Sequence, residues 1–158
     1  MSVAPFPAAL AAELEAITTR YPKRAAAMLP VLSRLQAERG HLSDETVEQV
    51  AAFLEVPPAH VHGVVSFYSM YDRTPIGRHK VYVCRTLSCR LRGAEEVIGA
   101  METALGVERG GTTKDGKYTI VPFECLGLCE QAPAALCGGK RWGNLTPETV
   151  KRVFEDLP

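Results

Sequence analysis

The chain has 158 residues, and 18 Lys+Arg balance 18 Asp+Glu to a formal net charge of zero. That balance argues against a dedicated nucleic-acid binder, and 46% hydrophobic with 23% charged residues argues against a disordered chain. No apolar run approaches the ~20 residues of a spanning helix, and the N-terminal segment has acids but no basic n-region, so the expected setting is the cytosol, where five cysteines signal metal or redox chemistry rather than disulfides.

In chain order, the first 70 residues carry no cysteine and read as helices. Leu10, Leu14 and Ile17 recur at helical spacing after Pro7. Ala25, Met28, Leu32 and Leu35 form a second stripe closed by Gly40, and Pro30 inside it predicts a kink or an early stop. Ser43 is an N-cap, with Asp44 and Glu45 in the first turn and Val47, Val50, Ala51 and Leu54 on one face. Pro57 and Pro58 open a fourth helix through Val61, Val64, Val65 and Tyr68. Its end, Val64 to Tyr71, is apolar almost all round, which predicts burial within the chain or against a partner. The four helices predict a small bundle.

Pro75 and Gly77 mark a break. The second half mixes strands and helices: a strand over 80–84, a helix with Ala94, Val97, Ile98, Met101 and Leu105 inward and Gly106 at its end, and a strand over 118–124 that Pro122 confines to an edge or a bulge. Residues 134–137 and 140–142 flank Gly138-Gly139 as a hairpin. Thr146-Pro147-Glu148 starts a last helix facing inward with Val150, Val153, Phe154 and Leu157. The predicted order is β-α-β-β-β-α, a small α/β sandwich. The expected division is residues 1–75, a helical bundle that docks a partner, and residues 76–158, which hold the chemistry.

That chemistry lies in two cysteine pairs. Cys84-x4-Cys89 and Cys125-x3-Cys129 each follow a predicted strand. If both strands run the same way in one sheet, both pairs emerge at one edge and four thiolates converge on a single point. The loops 85–88 and 126–128 are short, with backbone N–H groups able to turn toward sulfur and tune a bound group. Zinc favours a compact tetrahedral knot, often from closer C-x2-C pairs. A [2Fe–2S] rhomb is longer and suits the wider spacings, so iron–sulfur is preferred and zinc, in a non-enzymatic adaptor, stays open.

The segments Phe67-Tyr-Ser-Met-Tyr71, Pro75-x-Gly77, Val81-x-Val-Cys84-x4-Cys89, Gly93-Ala94, Asp115-Gly116 and Glu124-Cys125-Leu-Gly-x-Cys129-x-x-Ala132-Pro133 resemble the 24 kDa, NuoE-type [2Fe–2S] subunit of respiratory NADH:quinone oxidoreductase, complex I. The resemblance runs from about Tyr21 to Leu157. It implies an α+β chain in two parts, an N-terminal small helical bundle followed by a thioredoxin-like α/β [2Fe–2S] ferredoxin domain. It further implies one [2Fe–2S] cluster on Cys84, Cys89, Cys125 and Cys129. Its implied partner is a flavin- and NADH-binding subunit of the NuoF type, carrying FMN and a [4Fe–4S] cluster. Single electrons would pass between that FMN and a cluster lying off the main chain of clusters. The expected location is the peripheral arm of a membrane-bound complex, on its cytoplasmic side. The chain departs from many members at Leu128, where a small residue is usual, at the Gly138-Gly-Lys140 turn, and in stopping at Pro158 without a C-terminal extension. Relatives with the same cysteines serve NAD-linked formate dehydrogenases and bidirectional hydrogenases, and the cysteines alone do not separate these from complex I.

Other candidates are weaker. Cys137, alone in a predicted strand, reads as a small buried hydrophobe. His60 and His62, two apart on a helix, point in different directions and make a poor metal pair; His41 and His79 sit at element edges. Arg85, Arg90 and Arg92 flank the first cysteine pair and suit either charge compensation or solvation. Gly110-Gly111 has no phosphate-loop context, so no nucleotide site is expected in this chain and NADH chemistry would belong to the partner.

Overall fold

A computed structural model describes residues 5–157, and the first four residues of the N-terminal segment that reads as lacking a leader lie outside the described part. The chain falls into two compact units, Met1–Pro75 and Ile76–Pro158.

The first unit holds α1 (Ala8–Thr18), a 3-10 turn (Arg24–Ala27), α2 (Met28–Arg39), α3 (Asp44–Leu54) and α4 (Pro58–Phe67). Leu10 and Leu14 of α1 face inward, and the next inward position is Thr18 rather than Ile17, which is only half-buried. The Thr18 hydroxyl donates to the Glu15 carbonyl at 2.8 Å, so burial leaves no polar atom unsatisfied. The second stripe divides: Arg24–Ala27 forms the 3-10 turn and α2 starts only at Met28. Pro30 therefore lies in the first turn of α2, where a backbone N–H has no intrahelical acceptor to lose, and the expected kink does not arise. Gly40 closes α2 at φ +79°. Ser43 caps α3 by accepting the Thr46 N–H at 3.2 Å. Val47, Val50, Ala51 and Leu54 meet Val31, Leu32, Leu35, Val61 and Val65 in one core.

The fourth helix is shorter than its apolar sequence predicts. It ends at Phe67, and Tyr68 turns to extended backbone (φ −87°, ψ 102°). The reversal returns Tyr71 to the bundle, where it is 6% exposed. Its hydroxyl donates to the Leu29 carbonyl at 2.9 Å and lies 3.2 Å from Ser33 Oγ. A continued helix would have carried Tyr71 away from these partners. Phe67 and Met70 are left exposed, at 81% and 54%, while Val65 and Tyr71 are buried, so the stretch is only partly buried within its own unit.

The second unit contains β1 (His79–Cys84), α5 (Leu87–Leu91), α6 (Ala94–Leu105), β2 (Tyr118–Phe123), a 3-10 turn (Cys129–Gln131), β3 (Ala135–Cys137), β4 (Lys140–Trp142) and α7 (Lys151–Glu155). This is the expected β-α-β-β-β-α order with one added short helix, α5. The sheet order is β2-β1-β3-β4. β1 and β2 are parallel, joined by a crossover through α6, and β3 and β4 are antiparallel additions. Pro122 indeed sits on an edge strand, where its missing N–H costs no ladder bond on the open side. Gly138 and Gly139 both take positive φ, 55° and 83°, as a two-residue hairpin turn requires.

Val81, Val83, Ile120, Ala135, Cys137 and Trp142 point to one face of the sheet. Val97, Ile98 and Met101 of α6, with Val150, Val153 and Leu157 around α7, cover that face. α7 begins at Lys151, later than expected, because Thr146 and Thr149 first close a turn on each other, with the Thr146 N–H donating to Thr149 Oγ1 at 2.9 Å.

The Tyr71 hydroxyl bonds are testable. Tyr71→Phe keeps the ring buried but removes both, and should lower stability by about 1 kcal/mol, read as a lower urea midpoint with an unchanged slope in far-UV circular dichroism.

Candidate metal centre

Parallel pairing places the cysteines. Cys84, the last residue of β1, is in register with Phe123, the last residue of β2. Cys125 follows two residues later, so both cysteine loops leave the same end of the sheet. Arg85 and Glu124, one from each loop, form an ion pair at 2.9 Å across this end. The Arg85 N–H donates to the Phe123 carbonyl at 3.0 Å, and the Cys84 N–H to the Ala134 carbonyl at 3.0 Å. The β1 loop is thus tied on one side to β2 and on the other to the segment before β3.

All five cysteines are free thiols, and the four candidates have two different settings. Cys84 and Cys89 are buried, packed with Ala94, Leu128, Ala132 and Ala134. Cys125 and Cys129 are exposed. Among the described residues no three His, Cys, Asp or Glu side chains surround one point. The four cysteines thus form two adjoining pairs at one end of the sheet, one enclosed and one open. Cys89 lies within α5 with its side chain buried, whereas Cys125 lies on a loop and Cys129 starts a 3-10 turn.

Polar hydrogens converge on the sulfurs. The Gly127 N–H donates to Cys125 Sγ at 3.4 Å, made possible by the left-handed backbone of Gly127 (φ +70°). Cys84 Sγ lies 3.1 Å from Thr86 Oγ1. Burial pushes the Cys84 thiol pKa up, but hydrogen bonds from the Thr86 hydroxyl and backbone, from Cys89 and from the Leu126 N–H outweigh it, so the pKa lies below the ordinary thiol value. Cys89 goes the other way: burial, the hydrogen bond to Cys84, and the charges of Cys84 and Cys129 push it up to about 11, against a partial offset from the Ala134 backbone.

Four thiolate donors, no imidazole, and backbone N–H groups directed at sulfur make a donor set that fits a [2Fe–2S] cluster. Cys137 lies elsewhere, in the sheet core, and burial alone pushes its pKa up. His60 is exposed and His62 half-buried on α4, in the other unit. Arg90, within α5, and Arg92, at its C-terminal end, are exposed. The loop reading of residues 85–88 missed Thr86 and the start of α5, because a five-residue helix is too short to show periodicity. Exposed Leu87 and Leu91 (73% and 78%) are one helical turn apart and lie on the outside of the helix that buries Cys89.

The two settings predict an order of reaction in the cluster-free protein. Iodoacetamide under native conditions should modify Cys125 and Cys129 first, with Cys84, Cys89 and Cys137 reacting only on unfolding. Peptide mass spectrometry reads this directly, and early modification of Cys137 would contradict the burial order.

A family model described as thioredoxin-like [2Fe–2S] ferredoxin matches residues 14–158. The chain is 39% identical over 145 residues to an NADH-quinone oxidoreductase subunit of Rhizobium meliloti (strain 1021), spanning 92% of this chain and 86% of that protein. It is 36% identical over 135 residues to the NADP-reducing hydrogenase subunit HndA of Solidesulfovibrio fructosivorans, spanning 85% and 79%. Among solved structures, the NAD+-reducing [NiFe]-hydrogenase in its H2-reduced state superposes with a TM-score of 0.65 at 23% identity. That match covers 79% of this chain but 21% of the hydrogenase chain, and it shows the shared fold. With the family model matching almost the whole chain and NADH-quinone oxidoreductase subunits similar over most of their length, the chain belongs to the thioredoxin-like [2Fe–2S] ferredoxin family, in its NuoE-type branch.

Proposed function

We propose that this chain is the electron-transfer subunit of an NADH:quinone oxidoreductase, with Cys84, Cys89, Cys125 and Cys129 holding one [2Fe–2S] cluster. The observation that carries the reading is the delivery of both cysteine pairs to one end of the sheet by parallel strands in register at Cys84 and Phe123. Similarity to NADH-quinone oxidoreductase subunits over most of the chain supports the assembly. When bound, the cluster supplies a site for one electron at a time.

The residues of this chain do the rest. Ala94, Ala132, Ala134 and Leu128 keep water from Cys84 and Cys89. The Gly127 N–H steadies the Cys125 sulfur. The exposed Cys125 and Cys129 side is where a redox partner gains its shortest approach. We assign that partner as a NuoF-type subunit that binds FMN and NADH and carries a [4Fe–4S] cluster. Two exposed apolar patches are its docking surfaces: Phe67, Tyr68 and Met70 at and just beyond the end of α4, and Leu87 with Leu91 on α5. Aromatic and Met side chains are enriched at such interfaces. Among the described residues no helix is long and apolar enough to cross a membrane. The proposal places the chain in the peripheral arm on the cytoplasmic side. A second reading, the corresponding subunit of an NAD(P)-linked hydrogenase, is favoured by the similarity to HndA.

Two experiments test the proposal. Cys84→Ala, Cys89→Ala, Cys125→Ala and Cys129→Ala should each lose the cluster by iron and sulfide analysis, while Cys137→Ala keeps it. The loaded protein should titrate as a one-electron couple on the order of −400 mV, as all-cysteine [2Fe–2S] centres do. A cluster retained in any of the four variants would refute the ligand set.

Docking is tested separately. Phe67→Asp combined with Met70→Asp should weaken association with the flavoprotein by at least about tenfold, by analogy with anchor residues at interfaces, with cluster absorbance unchanged. Full affinity in that double variant would remove the α4 patch from the interface.

A further inference from the structure

Thr86 occupies the N-cap position of α5, yet its side chain makes no capping hydrogen bond. Threonine at this position ordinarily turns its oxygen onto an N–H of the first helical turn. Here Oγ1 lies instead 3.1 Å from Cys84 Sγ, two residues back. Cys84 is buried among alanines and Leu128 while Thr86 is half-buried, so the sulfur end of this contact lies in an apolar setting. While Cys84 is a thiol, either atom of the pair is able to donate. Once Cys84 is bound to iron its sulfur carries no proton, and of this pair the hydroxyl alone is able to donate.

We infer that Thr86 is a positioning residue for electron transfer, its hydroxyl donating a hydrogen bond to the Cys84 sulfur and raising the reduction potential of the cluster. The inference rests on Cys84 being a ligand, as proposed above. The direction follows from charge. An oxidised cluster of two ferric ions, two sulfides and four thiolates carries −2, and accepting one electron takes it to −3. A donor at sulfur stabilises the more negative state more strongly, so the bond favours reduction. The helix forgoes its cap for this contact. A hydrogen bond to a charged acceptor is the stronger of the two kinds.

The test uses the full-length, cluster-loaded protein and redox titration followed by EPR. In Thr86→Val, with iron and sulfide contents equal to wild type, the reduced-to-oxidised ratio at the wild-type midpoint should fall about tenfold, which is a downward shift of about 59 mV for one electron. Thr86→Ser restores a hydroxyl without the methyl group and should stay within about twofold of the wild-type ratio. An unmoved midpoint in Thr86→Val overturns the inference. So does a shift in Thr86→Ser as large as that in Thr86→Val, since packing and not the hydroxyl would then be responsible. If Thr86→Val does not load, Thr86→Ala replaces it as the hydroxyl-free variant. If neither loads, hyperfine spectra of the reduced wild-type cluster after a brief D2O pulse decide: a fast-exchanging coupled proton supports the bond, and its absence overturns it. Cys84→Ala separates the two levels. A full cluster in Cys84→Ala means the ligand reading itself has failed, whereas an empty Cys84→Ala beside an unmoved Thr86→Val means only the role of Thr86 has failed.

Discussion

The parallel pairing of β1 with β2 is the constraint on which the second unit depends. It sets Cys84 opposite Phe123, and so brings to one place two cysteine pairs that are far apart in sequence. A slip of one residue would turn Val81 and Val83 out of the core and Cys84 toward the wrong face. The register is held by burial, since Val81, Val83 and Ile120 are fully enclosed under α6. The packing of a hydrophobic sheet face thereby fixes the position of polar, reactive atoms at its edge.

At that edge the two pairs divide the work. The inner pair, Cys84 and Cys89, lies in an apolar setting that raises both thiol pKa values, and the hydrogen bonds around them move the two in opposite directions, Cys84 down and Cys89 further up. The outer pair stands open on a loop shaped by the positive φ of Gly127 and on the 3-10 turn that follows. One pair is thereby shielded from water and the other is open to it. The Arg85–Glu124 ion pair is more than half exposed on both sides and adds little stability by itself. Its contribution is to orient the two loop entrances relative to each other.

The helical unit shows how a single buried hydroxyl redirects a chain. The apolar run from Val64 to Tyr71 satisfies every local rule for a continuous buried helix. The competing arrangement seats the Tyr71 ring in the core and gives its hydroxyl the Leu29 carbonyl. Ending α4 at Phe67 achieves this and leaves Phe67 and Met70 in solvent. This exposed aromatic and thioether surface is the basis of the docking role proposed for the end of α4.

Much of this was legible in the sequence because it is local or periodic. The cap at Ser43, the stop at Gly40, the inward face of α6, the Gly138-Gly139 turn and the edge placement of Pro122 all follow from short-range backbone and burial rules. The spacing of the cysteines at two strand ends pointed to a thiolate centre, and family motifs named its kind. The sequence by itself did not decide the inequality of the two cysteine pairs, the role of Pro30 in a first turn, the end of α4 or the orientation of the Thr86 hydroxyl. Each depends on which atoms the folded chain brings near: the alanines around Cys84 and Cys89, the start of α2 at Met28, the Leu29 carbonyl near Tyr71, and the Cys84 sulfur near Thr86. Burial and hydrogen-bond partners are properties of three-dimensional neighbours, so residues distant along the chain settled these features where local propensity was indifferent or pointed elsewhere.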